Sequence, residues 1–93
     1  MEKIEGSVEK NKTVDRKRKI NEKKFGKWEL FPDGGRKYWI EIRGKARWSA
    51  RYIKEVDKNE NTIKFYQEIY NGKGELVEIH CKFPKDTGHK RIR

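Results

Sequence analysis

Histidine is scarce in this 93-residue chain, and both copies, His80 and His89, fall near the C-terminus among Glu78, Lys82 and Asp86. Two imidazoles beside a cation can cut RNA without a metal. One takes the 2′-hydroxyl proton, the other protonates the leaving oxygen, and the cation stabilises the phosphorane. Glu68, Glu78, Arg51 and Lys82 are the available helpers. Two points weigh against that chemistry. His80 sits in the middle of an alternating run, where a solvent-facing or cross-strand imidazole is the commoner occupant, and His89 lies in a basic tail expected to be mobile. A metal-independent ribonuclease with His80 and His89 as its catalytic pair is therefore a third reading, behind two binding roles. No metal site is expected, because His80, Cys81, Asp86 and His89 lack a recognised ligand spacing, and nothing implies a cofactor. Cys81 is the single cysteine. It rules out an internal disulfide and reads as a small buried apolar group, not a nucleophile.

The other chemistry on offer is recognition. All eleven Phe, Trp and Tyr residues lie between Phe25 and Phe83, and the formal net charge is +10. Residues 1–24 hold nine Lys or Arg against five Asp or Glu, and residues 85–93 hold four against one, so +4 and +3 of that charge sit in the ends. A field of this sign attracts nucleic acid, anionic membrane surfaces or acidic proteins without choosing among them. In the middle, Trp39 and Arg43 alternate with Tyr38, Ile40 and Ile42, while Arg47, Ser49 and Arg51 alternate with Trp48, Ala50 and Tyr52. Rings among cations on a sheet suit single-stranded RNA or DNA, because rings stack on bases while cations follow the phosphates. The expected contacts are Arg43, Arg47, Arg51, Lys64 and Lys82 to phosphates, Trp39, Tyr66 and Tyr70 to bases, and Arg16, Lys17, Arg18 and Lys19 for sequence-independent attraction. The competing reading makes Trp39, Tyr66 and Tyr70 a second hydrophobic face, which leads to a protein-interaction module or a homodimer.

These residues must be held by strands. Five alternating runs follow Phe25: Lys27 to Phe31, Lys37 to Arg43, Ala46 to Glu55, Thr62 to Tyr70 and Glu75 to Phe83. Turn chemistry separates them at Pro32-Asp33-Gly34-Gly35, Gly44-Lys45, Asp57 to Asn61 and Asn71-Gly72-Lys73-Gly74. Pro84 ends the last run, and Pro84 to His89 reads as a turn that folds the end back over the sheet. The expected fold is all-β: a five-stranded antiparallel meander over residues 25–84, as a single twisted sheet or a partly open barrel. A sheet needs a cover, and the candidate is the basic N-terminal arm, residues 1–24, either disordered or a short helix, which would make the fold α+β. Its few apolar residues, Ile4, Val8, Val14 and Ile20, form no helical stripe. Residues 85–93 form a basic C-terminal tail.

The segments Tyr38 to Ile42, Trp48 to Tyr52, Gln67 to Tyr70, Glu78 to His80 and Pro84 to His89 resemble small uncharacterised prokaryotic proteins that share a domain of unknown function. The resemblance spans roughly residues 27–90 and implies a compact prokaryotic domain, with no catalytic or binding residues carried over. Lys and Glu are abundant while Gln occurs only at Gln67, a bias found in thermophile proteins. The opening MEKIEGSVEKNK has no apolar core, and no ten apolar residues run together. Neither a signal peptide nor a membrane span is expected, and the chain reads as cytoplasmic. Together these features favour a non-catalytic RNA or single-stranded DNA binder.

Overall fold

The computed structural model describes the backbone of residues 2–92 and the side chains of residues 12–92. One helix, α1 (Glu2–Phe25), precedes six strands: β1 (Lys27–Leu30), β2 (Arg36–Arg43), β3 (Ser49–Val56), β4 (Thr62–Tyr70), β5 (Leu76–Phe83) and β6 (Gly88–Arg91). The strands pair in chain order as one antiparallel sheet, and β1 and β6 are its two edges, so the sheet is open and not a barrel. The expectation of five strands needs correction. The sixth comes from the segment read as a tail, where Gly88 to Arg91 pairs with Glu78 to Cys81 without an alternating apolar pattern to announce it. No helix among the described residues is long and apolar enough to cross a membrane.

Register sorts the side chains onto two faces, because residues directly opposite across antiparallel strands project to the same side. Tyr38, Ile40 and Ile42 on β2 meet Lys54, Tyr52 and Ala50 on β3, which meet Phe65, Gln67 and Ile69 on β4. This is the helix face. Phe25 packs on Tyr38 with ring centroids 5.9 Å apart, and the core of Phe25, Tyr38 and Val56 is flanked by Ile40 and Phe65. Trp39, Ile53, Tyr66 and Cys81 lie in one row on the other, open face. No element covers that row, yet Ile53 is fully buried. The rings flanking it on β2 and β4 therefore form a second, smaller apolar cluster.

Polar contacts more than apolar ones dock α1. Ile20 is 60% exposed, whereas Arg18 Nε and Asn21 Nδ2 donate to the two oxygens of buried Glu60 at 3.2 and 3.1 Å. Tyr38 donates its hydroxyl to the same carboxylate, and Glu22 pairs with Arg36 at 2.7 Å. Burial, reinforced by the bond to Glu60, pushes the Tyr38 hydroxyl well above the ordinary tyrosine range, so it stays a donor. The helix stops at Gly26, whose φ of +83° and N–H bond to the Glu22 carbonyl at 2.9 Å form a left-handed cap.

Candidate nucleic-acid interface and imidazole cluster

The register carries Trp39, Arg43, Arg51, Lys64, Tyr66 and Tyr70 to the open face, as their spacing predicts. They do not form an unbroken basic surface. Arg51 lies 3.5 Å from Glu41 and stacks over Tyr70 at 5.4 Å, and Lys64 stands over Tyr66 at 5.0 Å. The Tyr66 and Tyr70 hydroxyls donate to Glu55 and Glu68 at 2.9 and 2.8 Å. Burial and those carboxylates raise both hydroxyls above the usual tyrosine range. Trp39, Tyr66 and Tyr70 are all partly exposed, and the two tyrosines are tied down at their hydroxyls.

Two expected members sit elsewhere. Lys82 is on the helix face, its ammonium 5.1 Å from the Tyr52 ring and 5.8 Å from Phe65. It is the extra residue of a β-bulge, since Phe65 pairs with Phe83 while Tyr66 pairs with Cys81. Arg47 is not in a strand: the run read as starting at Ala46 begins at Ser49, and Lys45–Arg47 forms a short 3-10 turn. In that turn Ala46 and Arg47 both take positive φ, +56° and +66°. Ala50 faces Ile42 and Ile69. In α1, Arg16, Lys17 and Lys19 are exposed, while Arg18 is committed to Glu60 and the Lys58 carbonyl.

The turn at Ala46 creates a feature the sequence did not announce. Between it and the Asn71–Gly74 turn lies a cleft of about 460 Å³, lined by Glu41, Arg43, Arg47, Trp48, Ser49 and the glycines of both turns. Arg43 and Arg47 make no ion pair among the described residues, and Trp48 is 43% exposed. The turns touch closely: a Cβ on Gly72 would come within 2.7 Å of the Ala46 carbonyl oxygen. On the helix face of the same end, Ile42, Trp48, Ala50 and Ile69 line a shallow apolar hollow of about 220 Å³.

The histidines meet. Pairing of β5 with β6 sets His80 opposite His89 with ring centroids 4.4 Å apart. His80 Nε2 is 2.6 Å from Asp86 Oδ1, which also accepts the Gly88 N–H at 2.9 Å. His89 Nδ1 is 3.3 Å from Glu78 Oε1. The Gly88 amide, and then His80, holds the Asp86 carboxyl below the usual range. Sequence spacing left His89 in a loose tail because a four-residue edge strand without apolar alternation carries no local signal. Cys81 lies on the open face, partly buried, its thiol directed to the Phe83 carbonyl at 3.3 Å. No cluster of three or more metal-ligating side chains suited to an ion occurs among the described residues. Comparison with protein-family models, curated proteins and solved structures gives no match.

Proposed function

We propose that the chain binds single-stranded nucleic acid, RNA or single-stranded DNA, on the open face and in the cleft at its end. One observation carries this reading: the register gathers Trp39, Tyr66, Tyr70, Arg43, Arg51 and Lys64 on the face α1 leaves uncovered. Arg43 and Arg47 are the best-placed phosphate contacts, because neither makes an ion pair among the described residues, and Trp48 joins the stacking rings. Glu41, Glu55 and Glu68 on the same face moderate the affinity and favour a few well-placed contacts over a broad electrostatic grip.

Four phosphate contacts to a single strand give a slope of log K against log salt near −3, roughly a 50-fold loss of affinity between about 50 and 200 mM salt. Fluorescence anisotropy on a mixed oligonucleotide pool reads it directly. Absence of binding at the lower salt, or affinity indifferent to salt, removes the proposal. The second reading, a homodimer, rests on the hollow of Ile42, Trp48, Ala50 and Ile69. A mass independent of concentration in sedimentation argues against it.

A further inference from the structure

We propose that the pocket between the end of α1 and strands β3, β4 and β5 binds a small aromatic carboxylate of one or two fused rings; this goes beyond nucleic-acid binding and does not rest on it. The pocket encloses about 300 Å³ and is lined by Lys24, Phe25, Lys54, Thr62, Phe65 and Phe83. It belongs to the helix face, because Phe65 pairs with Lys54 on one side and with Phe83 on the other. Phe25 is a core residue and Phe65 packs against that core. Two of the three ring walls are therefore held in place before any ligand arrives, which lowers the cost of binding. Phe83 forms the third wall and is 44% exposed, so apolar surface stands open to an incoming molecule.

The charges around the pocket select an anion. Lys24 and Lys54 are in the lining and no Asp or Glu is, and neither lysine makes an ion pair among the described residues. The Lys54 ammonium donates to the neutral Asn21 Oδ1 at 3.0 Å. Glu60, whose charge also acts on Lys54, is already engaged by Arg18, Asn21 and Tyr38. Burial, and then the charge of Lys24, hold the Lys54 ammonium below its usual range, as happens when like charges share a site without a counter-ion. Lys82 adds a third ammonium 5.8 Å from the Phe65 ring.

The walls narrow the choice further. A nucleotide or sugar phosphate would bring hydroxyls and ring-polar atoms against three phenyl groups that cannot satisfy them. A straight acyl chain would cover apolar area but make no ring-to-ring contact. An aromatic ring gains edge-to-face or offset contacts with Phe25, Phe65 and Phe83 beyond the area that it covers. Its carboxylate then meets the lysines in charge-assisted hydrogen bonds, and the volume admits one or two fused rings.

The test is calorimetric titration of the full chain with 2-naphthoate, and with 2-naphthylmethanol and octanoate for comparison. The expected result is saturable binding of 2-naphthoate, with the neutral alcohol bound about tenfold more weakly because it lacks the charged hydrogen bond, and octanoate also weaker. Lys54→Gln should weaken 2-naphthoate by about tenfold while the alcohol holds within about twofold. Lys24→Gln, at an exposed position, should show the same split, which keeps the test intact where circular dichroism finds Lys54→Gln misfolded. Phe83→Ala should weaken both naphthyl ligands by about fivefold. Lys73→Gln, on the turn after the far end of β4, should change neither. No saturable binding of 2-naphthoate, octanoate binding as tightly as 2-naphthoate, or equal losses in Lys54→Gln and Lys73→Gln would each overturn the inference.

Discussion

At φ +67° Glu60 holds a left-handed backbone, which costs a non-glycine residue about 1 kcal/mol, and its carboxylate accepts from Arg18, Asn21 and Tyr38. The strained turn is what aims the side chain inward, so local strain and helix docking are one arrangement. Removing the carboxylate strands a buried tyrosine hydroxyl and an asparagine amide. Glu60→Ala should lose about 3 kcal/mol in urea unfolding. Glu60→Gly should lose about 1 kcal/mol less, because glycine relieves the backbone. None of this was legible in Asp57 to Asn61, which reads as a polar loop: the partners of Glu60 lie 39 and 42 residues away in the helix. The contact between the two histidines was hidden for the same reason: it depends on a strand pairing, whereas Trp39, Tyr66 and Tyr70 could be placed by alternation alone.

The hairpin turns were the most legible elements. In three of them an Asp or Asn oxygen accepts the N–H two residues on: Asp33 from Gly35 at 2.8 Å, Asp57 from Asn59 at 2.8 Å, and Asn71 from Lys73 at 2.9 Å. Each is a local device written in adjacent residues, so β4 has the predicted bounds and the starts or ends of the other early strands shift by little. The start of β3 is the exception. Lys45-Ala46-Arg47 contains no glycine, and its left-handed turn is imposed by packing against the neighbouring Asn71–Gly74 turn. Two glycines there separate space from backbone conformation. Gly72→Ala, whose Cβ would meet the Ala46 carbonyl at 2.7 Å, should cost about 2 kcal/mol in thermal or urea unfolding and deform the cleft. Gly74→Ala, with open space but φ +80°, should cost about 1 kcal/mol through its backbone alone.

Over the whole molecule the dimensions are 58 × 24 × 20 Å, and the long axis reflects a 24-residue helix docked on β1 and β2. The sequence left α1 open between helix and disorder because it lacks an apolar stripe, and a stripe is not what holds it. Its exposed Arg16 and Lys19 belong to the element packed on the opposite side of the sheet from Trp39, Tyr66 and Tyr70, so in the proposed binding mode they act only through long-range attraction. Arg16→Gln with Lys19→Gln should therefore flatten the salt slope by at most about 1.4, the contribution of two phosphates, without altering which bases are stacked; salt titrations of both proteins compare them. The strand order has a kinetic consequence. Every strand pairs with its neighbour in the chain, so the sheet can zip from short hairpins, each closing a small loop at little entropic cost. The helix contacts instead close a span of 42 residues at Arg18–Glu60. A transition state made of hairpins would contain the sheet but not that contact. Stopped-flow measurements on Glu60→Ala should then show faster unfolding and a nearly unchanged folding rate.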